Sequence, residues 1–276
     1  MTEHGNKSIP FTKLKSMKRN FILMTAMFML CSMLSAAEPT VIRPFNGTDF
    51  DGWQFKAGNR VNVWKIGRAV GDAVSLDAAP QQGQRGQAGQ GQAGQTQRNP
   101  NVRQQAAMIN VVGSDYRTAE PRRGVDIFTE QKFGDCTIKL EFLVTRGSNS
   151  GVYLMGEYEV QIFDSFAKAP DAALGQGDMG AIYSAAPPAR NAAGVPGTWQ
   201  SYEIEFVAPK FDAEGNKTSN ALFKRVVLNG VLIQENVEVQ GPTGGGLTMK
   251  ESATGPLMFQ GDHGPVAFRN IEIIVP

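Results

Sequence analysis

The chain has 276 residues, with 27 Lys plus Arg against 26 Asp plus Glu, two His and two Cys. That balance offers no basic field to attract phosphate backbones, so nucleic-acid binding is excluded as a first reading. So few His and Cys residues also argue against a multi-histidine metal site and a disulfide framework.

The first element is a targeting signal over residues 1–37. Lys18 and Arg19 precede an apolar run from Phe21 to Leu34, and Ser35-Ala36-Ala37 supplies small residues for cleavage. Met17 reads as the true start. The run is shorter than the roughly 20 apolar residues a spanning helix needs, so the mature form is expected to carry no membrane span. The expected location is periplasmic or secreted. Cys31 raises a lipoprotein reading, but bulky Leu30 stands before it where small residues are usual. Removing residues 1–37 leaves 22 basic and 25 acidic residues, a net charge of −3. Cys136 is then the sole cysteine, so no internal disulfide forms. His263 is the sole histidine, so a serine triad is open at one position only.

Residues 38–276 read as one domain built from short strands. Candidates in chain order begin with Val61–Ile66 and Ala69–Leu76. Residues 81–105 interrupt the pattern. They are nearly all Gln, Gly, Ala, Asn and Arg, and repeat GQAGQ at 86–90 and 91–95. So little apolar surface cannot offset the entropy of ordering them, so they read as a disordered surface insertion. Asp126–Phe128 is the next short candidate. Cys136–Thr145 is the clearest strand: Ile138, Leu140, Phe142 and Val144 face one side, Lys139 and Glu141 the other, with Leu143 an exception. Ser150–Tyr153 and the run around Glu159 follow, then Ala181–Tyr183. Tyr202, Ile204 and Phe206 alternate with Ser201, Glu203 and Glu205. Asn229-Gly230 stands between two apolar runs in 222–236 and predicts a hairpin with a type I′ turn. Leu257–Gln260 and Val266–Val275 close the domain. No long stretch has a helical period. The pattern predicts an all-β sandwich or barrel.

The chemistry concentrates in 149–165, NSGVYLMGEYEVQIFDS. Glu159 and Gln161 share one face of a strand; Asp164 joins them only if the strand bulges by one residue. Paired carboxyl groups are the usual machinery of glycosidic cleavage. Glu157 shares that alternation or sits as a rim charge. Crowded carboxylates raise one another's proton affinity, so one member can act as an acid near neutral pH. Asn149 precedes the run in a polar turn, and Tyr183 adds an aromatic ring near an irregular loop.

Asp262-His263 lies between glycines, and reads either as an ordinary turn or as a proton donor or base facing a sugar. Trp199 opens a strand at a loop, where the ring either packs or meets a sugar face. Trp53 and Trp64 read as core. Arg269 reads first as a partner for a core-edge carboxylate and second as a ligand clamp.

Six segments in order carry a resemblance: FNGTDFDGW at 45–53, NSGVYLMGEYEVQIFD at 149–164, GAIY at 180–183, PGTWQSYEI at 196–204, LNG at 228–230 and GDHGPVAFRNI at 261–271. Together they resemble the DUF1080 family, also called the 3-keto-disaccharide hydrolase domain. The resemblance covers the mature chain apart from 81–105. It implies a single concanavalin A-like jelly-roll β-sandwich of two antiparallel sheets, distantly related to family 16 glycoside hydrolases. Those hydrolases carry E-x-D-x-x-E, where this chain has Gln161 in the middle and Asp164 last, which argues against retaining glucanase chemistry.

The resemblance implies an exported enzyme that hydrolyses glycosides already oxidised at C3, and a sugar 3-oxidoreductase as functional partner. Glu159, Asp164 and His263 are then the expected catalytic residues. Asn149, Gln161, Tyr183, Trp199, Asp262 and Arg269 are the expected substrate contacts. A C3 ketone acidifies the C2 proton, so elimination through an enolate followed by hydration is the expected course. No cofactor is required. A divalent cation, Ca²⁺ or Mn²⁺, held by oxygens of Glu159, Asp164 and Asp262 is an alternative support for the enolate. Rival readings are a carbohydrate-binding module without turnover, a plain glucanase, and a scaffold that uses 81–105 for contacts.

Overall fold

The computed structural model describes Met1 and residues 38–69, 106–111, 122–169 and 171–276. The proposed signal, the 81–105 insertion and nearly all of the Ala69–Leu76 strand candidate lie outside the described residues. The chain divides into two units, Met1–Glu38 and Pro39–Pro276, and the second carries the fold.

Fifteen strands occur among the described residues, and no helix. They are β1 (Thr40–Ile42), β2 (Trp53–Phe55), β3 (Trp64–Gly67), β4 (Ala107–Asn110), β5 (Ile127–Phe133), β6 (Cys136–Val144), β7 (Asn149–Leu154) and β8 (Tyr158–Phe163). Then come β9 (Trp199–Val207), β10 (Lys210–Phe211), β11 (Lys217–Ser219), β12 (Ala221–Leu228), β13 (Val231–Val239), β14 (Gly255–Phe259) and β15 (Val266–Val275). An eight-stranded sheet runs β13-β12-β9-β6-β15-β4-β3, with β1 beside the far end of β15. A five-stranded sheet runs β2-β5-β14-β7-β8. All strand pairings within these two sheets are antiparallel. The two sheets form the expected β-sandwich.

Period-2 alternation explains how the sheets meet. On β6, Ile138, Leu140, Phe142 and Val144 enter the shared core while Lys139 and Glu141 face out. Leu143, out of step by pattern, is buried on the outer face with Ile109, Ala107 and Ala267. Aromatic rings join the layers: Phe259 of the smaller sheet stacks on Phe268 of the larger, with centroids 4.0 Å apart. Trp53 and Trp64 are core residues, 6% and 3% exposed. The β12–β13 turn has Asn229 at φ 52° and Gly230 at φ 80°, as a type I′ turn requires.

Two strand expectations change. Ala181–Tyr183 makes only isolated bridges, from Ile182 to Val160 of β8 and to Ala186, where the chain turns back. Glu157 lies in the β7–β8 turn and not on the strand face. It is buried, and its carboxylate accepts the N–H groups of Thr248 (2.8 Å) and Met249 (2.9 Å).

Candidate active site

The outward face of the five-stranded sheet collects the polar groups. Tyr158, Val160 and Ile162 of β8 enter the core, so Glu159 and Gln161 must point outward. They are nevertheless 2% and 4% exposed. Across β7 the register sets Tyr153 opposite Glu159 and Gly151 opposite Gln161. The Tyr153 hydroxyl lies 2.8 Å from Glu159 Oε2 and 3.0 Å from the Gly244 carbonyl oxygen. Gly151 is required here: a Cβ on it would collide with the Glu159 carboxyl group. Glu159 therefore leans across β7 into space that only glycine leaves open.

A glycine strap, Thr243-Gly244-Gly245-Gly246, lies beside this carboxyl group. Thr243 Oγ1 accepts the Glu159 N–H at 2.9 Å, and Glu157 pins the strap's far end. Gly244 rests against the Tyr183 ring, and Gly245 against the Tyr153 hydroxyl. Tyr183 N–H donates to the Glu159 carbonyl oxygen at 3.1 Å.

The β14–β15 loop brings the next group. Gly261 N–H donates to Asp126 Oδ1 at 2.9 Å, and Gly261 is pressed so closely on the Val125 carbonyl that a side chain has no room. That clamp presents Asp262 and His263. His263 Nδ1 is 2.6 Å from Asp262 Oδ1, and Arg60 lies 3.1 Å from Asp262 Oδ2. Lys56 reaches Asp126 Oδ2 at 3.2 Å and the Gly246 carbonyl at 3.3 Å. Glu159 and Gln161 form the floor; Lys56, Arg60, Asp262 and His263 are partly exposed around it.

The electrostatics separate the carboxyl groups. Burial pushes Glu159 up to about 8; the Tyr153 hydrogen bond opposes this, and the charges of Asp126 and Asp262 add to it. Burial likewise raises Asp126, against the Gly261 N–H and Lys56. Burial also acts to raise Asp262. The His263 hydrogen bond and the charges of His263, Arg60 and Lys56 outweigh it, and Asp262 falls below the usual carboxylate range.

The structure thus brings together Glu159, Gln161, Tyr183, Asp262 and His263 from the expected set, with Asn149 on the same face of β7. Three expectations need correction. Asp164 does not join Glu159, because the β7–β8 register runs without a bulge. Its carboxylate instead accepts the Gly147 N–H at 2.8 Å. Trp199 and Arg269 lie on the outer face of the other sheet, across the core. There the guanidinium stacks 3.9 Å from the Trp199 ring centroid and Nε donates to Glu141 Oε2 at 2.5 Å. Glu159, Asp164 and Asp262 consequently do not converge as cation ligands. Among the described residues no group of three or more His, Cys, Asp or Glu is placed to hold a metal ion.

Sequence reasoning missed Lys56, Arg60, Asp126 and Tyr153. Tyr153 was within reach: strand alternation across the short 155–157 turn pairs it with Glu159. Lys56, Arg60 and Asp126 arrive by long-range contacts that no local pattern announces. A cavity of about 920 Å³ lies on the outer face of the eight-stranded sheet, lined in part by Arg43, Lys139, Glu141, Glu203 and Glu272. It includes none of the Glu159 group. Its charges stand in ion pairs, Arg43–Glu272, Lys139–Glu203 and Arg269–Glu141.

The chain resembles a solved candidate glycosyl hydrolase from Parabacteroides distasonis ATCC 8503. The two are 25% identical over 86% of this chain and 83% of that one, with a TM-score of 0.52. A second candidate glycosyl hydrolase from that organism is 17% identical, with a TM-score of 0.48 over 84% of this chain and 92% of that one. Comparison with curated proteins gives no match. The 3-keto-alpha-glucoside-1,2-lyase-like domain matches residues 40–274. The chain therefore belongs to the 3-keto-alpha-glucoside-1,2-lyase-like family of carbohydrate-active enzymes.

Proposed function

We propose that this enzyme cleaves 3-keto-glucosides by elimination across C1 and C2, followed by hydration. The observation that carries the reading is the separation of proton affinities within one site. Glu159 is held neutral at pH 7, while Asp262 is held ionised against His263. Carboxyl groups pushed apart in this way divide into an acid and a partner for a base.

The C3 ketone makes the C2 proton removable. Asp262 holds the His263 ring by Nδ1, which suits the imidazole as the base that takes that proton. The electron pair enters the ketone as an enolate. Lys56 and Arg60 supply the positive charge around the site that favours it. The enolate then restores the ketone, C1=C2 forms and the C1–O bond breaks. The leaving oxygen takes the Glu159 proton. The product is an unsaturated ketone that still bears its C2 hydroxyl. Water added across C1=C2 completes net hydrolysis. The family's description as a 1,2-lyase supports elimination over direct displacement. An enzyme that oxidises the C3 hydroxyl must act beforehand.

The test is to mix the protein with a 3-keto-glucoside and follow leaving-group release together with ultraviolet absorbance of the unsaturated ketone. Both should rise. Equal cleavage of the unoxidised glucoside, or no cleavage of either, rejects the reading.

A further inference from the structure

Three side-chain amide oxygens on the site's sheet face are buried without a hydrogen-bond partner: Asn149 Oδ1, Gln161 Oε1 and Gln260 Oε1. A buried acceptor left unmatched is costly, so such groups are normally paired in a working complex. Their arrangement is regular. Gln260 follows Met258 by two residues and so shares its outward face, and its N–H donates to the Gly151 carbonyl at 3.0 Å. Gln161 stands on the other side of Gly151 by the β7–β8 register. One row therefore reads Gln260, Gly151, Gln161 across β14, β7 and β8. The glutamines stand two strand spacings apart, about 10 Å. The Glu159 carboxyl group leans over the glycine between them.

The two sides of this row differ in chemistry. Toward β14 and β5 lie Lys56, Arg60, Asp126, Asp262 and His263, the charged groups that proton removal and an enolate require. Toward the β8 edge, among the described residues, Gln161 and Tyr183 stand on this face, and Lys168 beyond them is paired with Asp178. Glu159, between the two sides, is where the breaking bond must lie if it protonates the leaving oxygen.

Resting on the function proposed above, we infer that substrate lies across the strands in one direction. The oxidised ring sits over β14 beside Gln260, and a hydroxylated leaving group sits over β8, where Gln161 Oε1 accepts one of its hydroxyls. Gln161 is thus a specificity determinant for the departing sugar, and Gln260 a contact of the ring that reacts. An amide oxygen asks for a donor, which a sugar leaving group supplies and an unsubstituted aryl group does not.

The experiment compares kcat/KM on a 3-keto-disaccharide and on an aryl 3-keto-glucoside, for wild type, Gln161→Met and Gln260→Met. The expected result is that the disaccharide-to-aryl ratio falls about tenfold or more in Gln161→Met, a loss typical of one hydrogen bond to a substrate hydroxyl. In Gln260→Met that ratio should hold while both values fall together. A ratio unchanged in Gln161→Met, or lowered equally in both variants, overturns the inference. Absence of turnover by the wild type on both substrates would instead reject the underlying function. Should Gln161→Met fold poorly, Gln161→Leu reads the same ratio, with no acceptor at that position.

Discussion

Tyr153 and Glu159 face each other across β7 and β8, and a single phenol proton serves two acceptors there. The hydroxyl is 2.8 Å from Glu159 Oε2 and 3.0 Å from the Gly244 carbonyl oxygen. With Glu159 ionised, the phenol donates to the carboxylate and favours that form; burial outweighs the bond and holds the carboxyl group neutral at pH 7.

The first consequence is a pH limb. An acid with its proton affinity at about 8 works below that pH and fails above it, so the rate of elimination should fall as pH rises through about 8. Glu159→Gln keeps the shape and has no acidic proton to give. It should lose roughly 10²–10⁴-fold in kcat, and lose the alkaline limb. Steady-state rates from pH 5 to 10 on both proteins check this.

Tyr153→Phe removes a donor that favours the ionised form of Glu159. The proton affinity of Glu159 should then rise further, and the alkaline limb should move to higher pH. A limb that moves to lower pH would show that the phenol chiefly serves the neutral form.

The same group shapes stability. Its folded-state value lies above the unfolded value of 4.5, so the folded protein holds the proton more tightly. This contribution is fully present below pH 4.5 and is lost as pH rises through about 8. The loss is on the order of a few kcal/mol, and Glu159→Gln should escape it. Urea unfolding at pH 5, 7 and 9 should show the variant gaining on wild type as pH rises.

Gly151→Ala should separate folding from function. The added Cβ meets the tip of a flexible side chain, so Glu159 can swing aside while the strands stay paired. Activity should fall about 100-fold or more with the fold retained, as expected when a reacting group is displaced by about 1 Å. Gly261→Ala should behave differently, because its Cβ meets the Val125 carbonyl in the backbone. A stability loss of about 1–3 kcal/mol by denaturant unfolding is expected there.

Asp164→Asn tests the correction made by the β7–β8 register. The amide oxygen can still accept the Gly147 N–H. kcat should stay within about twofold of wild type, and stability within about 1 kcal/mol, as for a substitution that keeps the shorter of its two backbone contacts and gives up at most the 3.4 Å contact with Phe166 N–H. A loss comparable to that of Glu159→Gln would return Asp164 to the chemistry.

Much of this protein was legible in one dimension, because strand side chains alternate with a fixed period. That period placed Ile138, Leu140, Phe142 and Val144 in the core, and put Glu159 and Gln161 on one face. Asn229-Gly230 announced its turn because positive φ at two successive residues suits few other pairs. Arg269 pairs with a carboxylate, Glu141, as its first reading had it. Asp164 and Trp199 do not reach the site, and alternation cannot say whether a strand bulges or which sheet it joins. Those questions depend on register and strand order, which arise from contacts between distant segments. Only the folded sandwich placed Lys56, Arg60 and Asp126 beside Glu159. Only burial there, in a low-dielectric wall, turned an ordinary carboxylate into an acid at neutral pH.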